Sequence, residues 1–206
     1  MKHWFGRAWV AAAALLASVA AADAHIVASR LGDFYAGALH PLTDLQDLIL
    51  WIALGVLAGS LGAANGRWLV LVFPLGLLAG LVLGLAFGPV SAGPVVDAGM
   101  IVTLGLLLAV AVRIPTACLC AIALGLALTR GAANSGGVGP QTNPLLFAAG
   151  LASAGYAAIT LAMAMTIAFR AENAGPSVAW RGIAIRAFGS WTAAIGVMMG
   201  GFALAS

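Results

Sequence analysis

Eight residues, His40-Pro41-Leu42-Thr43-Asp44-Leu45-Gln46-Asp47, hold an imidazole, a hydroxyl, an amide and two carboxylates. The chain then turns wholly apolar through Leu48-Ile49-Leu50-Trp51-Ile52-Ala53-Leu54. One imidazole with two carboxylates suits a divalent first-row cation such as nickel, cobalt or zinc. Pro41 fits the first position of a helix, where its missing N–H would be unpaired anyway. On a helix that begins near His40, positions i, i+4 and i+7 share one face. His40, Asp44 and Asp47 are therefore expected along a single stripe, with Thr43 beside it and Gln46 turned partly away. A plainer reading competes: aspartates in a first helical turn gain about 0.3–1 kcal/mol from the helix dipole, and a histidine before proline can simply rest at an interface.

The elements that must position these groups follow from composition. Of 206 residues, 63% are hydrophobic and 7% charged. A soluble domain carries about 25% charged residues, so this chain cannot coat a water-exposed surface and is expected to be an integral membrane protein. The net charge is +3, with no basic run, which argues against a nucleic-acid partner. Residues 1–24 read as a secretory signal: Lys2 and Arg7 precede an apolar stretch over 8–21, and Ala22-Asp23-Ala24 fits the small-x-small cleavage pattern. The alternative is an uncleaved first span. Six long apolar segments follow, over 45–62, 68–88, 95–112, 114–128, 144–169 and 183–205. Their lengths are near the roughly 20 residues a spanning helix needs, and lipid offers exposed backbone no hydrogen-bond partner, so they should be helices. The expected fold is an all-α, polytopic six-helix membrane bundle over 25–206.

Arginine placement gives an orientation. If the mature N-terminus lies outside, the inner connections hold Arg67, Arg113, Arg170, Arg181 and Arg186, and the outer side only Arg30 and Arg130. That obeys the positive-inside rule and puts both termini in the periplasm of an inner-membrane protein. Gly76, Gly80, Gly84 and Gly88 step by four along the second span, with Gly55 and Gly59 on the first and Gly196 and Gly200 on the last. This spacing lets helix backbones approach closely and reads as packing seams. The polar stretch 129–143 reads as an outer loop.

Other polar groups extend the candidate site. Asp97, at the outer start of the third span, should lie at the depth of Asp47 and could complete a cation site, or cap its helix. His25, freed by cleavage, would offer an α-amine beside an imidazole. Arg130 reads best as a lipid-headgroup contact. Cys118 and Cys120, two apart on a helix, point to different sides and read as apolar filler.

The segment Gly32-Asp33-Phe34-Tyr35-Ala36-Gly37-Ala38-Leu39-His40-Pro41-Leu42-Thr43, with Gly55 and Gly59 in the following span, resembles the HupE/UreJ family, as do the signal peptide, the six spans and Arg186-Ala187-Phe188-Gly189-Ser190-Trp191-Thr192-Ala193-Ala194-Ile195-Gly196. The resemblance implies an accessory membrane protein of hydrogenase or urease systems, or a nickel or cobalt permease. The family motif runs His-Pro-x-x-Gly-x-Asp-His. His40 and Pro41 match it; Asp44 stands in the glycine slot, Gln46 in the aspartate slot and Asp47 in the second histidine slot. The counterpart of a second, histidine-rich family motif is Leu128-Thr129-Arg130-Gly131-Ala132-Ala133-Asn134, which has neither histidine nor acid.

The leading expectation is a secondary transporter for a divalent transition-metal cation, with metal ligands His40, Asp44 and Asp47, and with Asp97 and His25 as further candidates. No ATP-binding motif and no organic cofactor are expected. The alternative is a non-transporting accessory subunit that meets metalloenzyme maturation proteins, or further copies of itself, in the bilayer. An enzyme is not expected, since no buried acid–base pair is visible on the inner half of any span.

Overall fold

The computed structural model describes residues 32–89, 92–171 and 179–205. The expected signal peptide and His25 lie outside the described residues. Those residues form helices joined by short connections, with no strand among them: α1 (Asp33–Thr43), α2 (Leu45–Leu61), the single turn α3 (Ala63–Gly66), α4 (Leu69–Phe87), α5 (Pro94–Val110), α6 (Thr116–Asn134), a 3-10 turn (Ser135–Gly137), α7 (Pro144–Ala171) and α8 (Ala179–Ala205).

The stretches Ala63–Phe87, Thr116–Gly137, Pro144–Arg170 and Trp180–Ala205 are each long and apolar enough to cross a bilayer. The pair α1 and α2, bent by 80°, makes a fifth if counted as one span. Helix α5 is apolar but, at 17 residues, shorter. The molecule's outer surface agrees with this: Leu75, Phe87, Leu145, Met165, Trp191 and Phe202 are all exposed. Apolar surface on this scale, all round a helical bundle, needs lipid rather than water. The chain is an integral membrane protein.

Packing follows the glycines. Helix α4 lies chiefly on α6, α5 on α8, and α7 against α1, α2 and α4. A Cβ added to Gly80 would collide with the Leu128 carbonyl, and one on Gly131 with the Leu77 carbonyl, so each backbone occupies the space a side chain would need. Gly55 and Gly59 serve the α2–α7 contact, and Gly105, Gly189 and Gly196 the α5–α8 contact. Gly88 does not join the seam; at φ 95° it ends α4 with open space around it. Helix α2 is the most enclosed, with Leu50, Trp51, Ala53, Leu54, Leu57 and Ala58 all buried. The Trp51 ring meets the Phe73 ring edge-on at 5.6 Å.

Three expectations are corrected. The first span does not begin near His40: α1 precedes it, holds Pro41 inside its last turn, and stops at Thr43. Asp44 adopts extended backbone (φ −85°, ψ 113°) and starts a new helix as its N-cap, its Oδ1 accepting from the Gln46 N–H at 2.8 Å. The fourth span does not end at residue 128 but runs through Arg130 to Asn134, so the outer loop shrinks to residues 138–143.

Charge is segregated. Arg170 donates to the Ser60 carbonyl, Arg181 to Phe169 O and Arg186 to Ala109 O, while Thr116 donates to Asn65 Oδ1. These bonds gather Arg170, Arg181 and Arg186 at one end of the bundle, where Arg113 lines one cavity with Arg170 and Arg67 is carried by the α3–α4 turn. The described aspartates, Asp33, Asp44, Asp47 and Asp97, lie at the opposite end.

Candidate functional site: an arginine ringed by three aspartates

Helix starts set the acidic cluster. Asp44 caps α2, which puts Asp47 one turn inside it. Gly93 and Pro94 open α5, with proline in the first turn where no N–H is needed, and this puts Asp97 at the fourth residue of that helix. Residues 129–134, small apart from Arg130 and Asn134, keep α6 helical beyond Leu128 and bring Arg130 against both.

The guanidinium meets three carboxylates. Nε donates to Asp47 Oδ1 at 2.5 Å, Nη2 to Asp44 Oδ2 at 3.0 Å, and Nη1 lies 3.3 Å from Asp97 Oδ2. Asn134, one turn further along α6, donates from Nδ2 to Asp47 Oδ2 and to the Arg130 carbonyl, both at 2.8 Å. Asp47 is 1% exposed, Asn134 3%, and Arg130 and Asp97 4% each. The Asp44 side chain, at 42%, is the face turned to solvent. Arg130, with Asn134 beside it and Thr129 donating to Met100 Sδ, thus ties α6, packed chiefly on α4, to α2 and α5.

Three acids face one base, so the fully ionised cluster carries two more negative charges than its guanidinium neutralises. Transfer of charges from water to a bundle interior costs several kcal/mol per ion unless they are compensated. Arg130 compensates Asp47 most closely, and the rest of the charge looks outward past Asp44. The Asn134 amide oxygen is buried and makes no hydrogen bond. Its orientation is fixed, because both atoms near Nδ2 are acceptors.

Asp44, Asp47 and Asp97 are brought together as a group, and Asp97 does share the depth of Asp47. His40 is not on their stripe, because the break at Asp44 turns α1 away. Its ring lies 6.2 Å from the Phe147 ring, and its Nε2 would be 3.1 Å from a Cβ at Gly137. The imidazole therefore rests over the 3-10 turn and the start of α7. Among the described residues no three His, Cys, Asp or Glu side chains form a group that could hold a metal ion. Arg130 is buried in the bundle rather than placed among lipid headgroups. Arg130 and Asn134 were the site residues missed in the sequence. Their i, i+4 spacing, with small residues between, is the local signal that one helix carries both.

Asp44 supplies a cap and one exposed ion pair. Asp44→Ala should cost about 1 kcal/mol, the usual value of an N-cap, since an exposed pair adds little. Asp47→Ala should cost several times more. Unfolding of the two variants in mixed micelles by a graded denaturing detergent checks the order.

The family model described as HupE / UreJ protein matches residues 12–199. No curated protein and no solved structure matches the chain.

Proposed function

Because the chain belongs to the HupE/UreJ family, we propose that it is a secondary transporter admitting a divalent transition-metal cation, nickel or cobalt, from the periplasmic side of the inner membrane. The observation that supports this most is the convergence of Asp44, Asp47 and Asp97 on one guanidinium. Their excess negative charge favours a dication, and the half-exposed Asp44 gives it a way in. The arginines at the far end favour a cytoplasmic position for that end, which turns the carboxylates outward. In this reading the chain crosses the membrane six times through α2, α4, α5, α6, α7 and α8. The signal peptide 1–24 is removed, and both termini are periplasmic.

The cation is cargo, and the protein's own groups act as follows. Asp44 attracts it at the rim, and Asp97 and Asp47 lie behind it, beside Arg130. Arg130 competes with it for the same oxygens, so the guanidinium must yield before the ion passes Asp47. This keeps binding weak enough for release. His40, at the rim over Gly137, and His25, at the mature N-terminus, would add imidazole ligands during approach. Membrane potential or an ion gradient supplies the drive.

The test is metal uptake in a strain lacking its own nickel and cobalt importers, normalised to protein in the membrane. Asp97→Asn preserves shape and removes one buried charge of the cluster; uptake should fall at least about tenfold, the order of magnitude seen when a group supporting a cation site is lost. Unchanged uptake in both Asp97→Asn and His40→Ala would remove the acidic end from the route.

A second reading, a non-transporting accessory subunit, is favoured by one observation: the deepest carboxylate, Asp47, already has Arg130 and Asn134 as partners. It requires a co-purifying metalloenzyme maturation protein and no ion flux in proteoliposomes.

A further inference from the structure

At the arginine end, a cavity of about 580 Å³ opens between the last turn of α2, the turn α3, the connection from α5 to α6 and the end of α7. Arg113 and Arg170 both line it, with Asn65, Ile114 and Ile167. The other arginines at this end are occupied differently. Arg67 lies over the Trp68 ring at 5.4 Å, Arg181 over the Phe169 ring at 5.5 Å, and Arg186 donates to Ala109 O. Arg170 uses one N–H on the Ser60 carbonyl, and Arg113 makes no hydrogen bond or ion pair among the described residues. No described carboxylate is at this end.

Two guanidiniums therefore face one cavity with nearly all their donors uncommitted. Like charges sharing a cavity repel, and an oxyanion between them turns that repulsion into attraction. Guanidinium forks match phosphate oxygens in planar, paired fashion. The polar neighbours do not compete: Asn65 Nδ2 is spent on the Leu61 carbonyl, its Oδ1 accepts from Thr116, and Ser60 Oγ donates to the Leu57 carbonyl. Gly62, at φ 94° with nothing within 4 Å of a Cβ position, leaves the mouth open.

We infer that this cavity is a binding site for a phosphate group, held between Arg113 and Arg170. Its apolar wall and its place at the end of a lipid-facing bundle suit the phosphodiester of an anionic phospholipid whose chains continue along the helices. A free phosphate would use the same two side chains. The site is independent of the transport reading.

Native mass spectrometry of the purified full chain, offered phosphatidylglycerol or phosphatidylcholine, tests it. Wild type should retain phosphatidylglycerol preferentially, and R113Q/R170Q should bind it about 30-fold more weakly, as two basic side chains at an anionic surface imply. R113Q alone touches no partner, so it cannot fail by lost packing; it should lose about fivefold. R67Q should change nothing. In lipid-free micelles, a rise in melting temperature with inorganic phosphate that R113Q abolishes would assign the site to the free ion. Equal retention of both lipids with no phosphate response, or wild-type affinity in R113Q/R170Q, would overturn the proposal.

Discussion

Arg130→Met should be the most destabilising single substitution at the acidic end, lowering folding stability by about 3–5 kcal/mol. That is the usual result of breaking a buried ion pair from one side. The loss is less that of an attraction than of a counter-charge. Asp47 and Asp97 stay inside the bundle with only Asn134 to answer them. Removing the stranded charges should reverse most of the damage, so the triple variant Arg130→Met, Asp47→Asn, Asp97→Asn should unfold close to wild type. Arg130→Lys should fall between, because an ammonium cannot reach three carboxylates in fixed directions. Equilibrium unfolding in mixed micelles gives all three values. A single variant as stable as wild type would show that the cluster does not hold α6 to α2 and α5.

Gly131→Val should be comparably severe, through sterics. The new side chain would start inside the contact between Gly131 and the Leu77 carbonyl, where an atom of the facing backbone leaves nothing free to rotate aside. Overpacking a core costs about 1–3 kcal/mol when side chains can adjust; here α4 and α6 must separate, so the upper end of that range or beyond is expected. Gly80→Val should behave alike, since it faces Leu128 O from the other side of the same seam. Gly125→Ala is the control on the same helix: nothing lies within 4 Å of its Cβ position, and replacing glycine in a helix interior gains up to about 1 kcal/mol. The yield of monodisperse protein, with thermal unfolding of what survives, separates the three.

Four of the six expected spans were legible because each is a long apolar run that forms a helix able to cross a bilayer; the expected start at residue 144 is the start of α7, and the expected end at residue 62 lies one residue past α2. The seams were legible because glycines four apart have few other uses in lipid. What failed was local in appearance and tertiary in cause. Arg130 looks like the end of a span when only its neighbours are read, since a lone arginine is too costly in hydrocarbon. It stays inside because three acids from two other helices meet it, which no window on α6 contains. His40-Pro41 resembles a helix start, since proline fits a first turn, yet Pro41 lies in the last turn of α1. Asp44 is itself a favoured N-cap residue, and its side chain accepting from the Gln46 N–H is the start signal the chain obeys. His25 lies outside the described residues, so its placement rests on sequence alone.

Helices α2 and α5 each have 17 residues and rise about 26 Å, against a hydrocarbon layer of about 30 Å. Both carry the buried aspartates within their first turn or so. Helix α5 exposes Val95, Val96, Leu106 and Val110, and acyl chains meeting that face must shorten or tilt to match so short a helix, at a fraction of a kcal/mol per Å. Thinning of the leaflet there would bring water nearer the level of Asp97 without any channel through the protein. Lean, short-chain lipids relieve that deformation, so the fatty-acid composition of the host membrane becomes a tuning parameter for how wet the acidic end is.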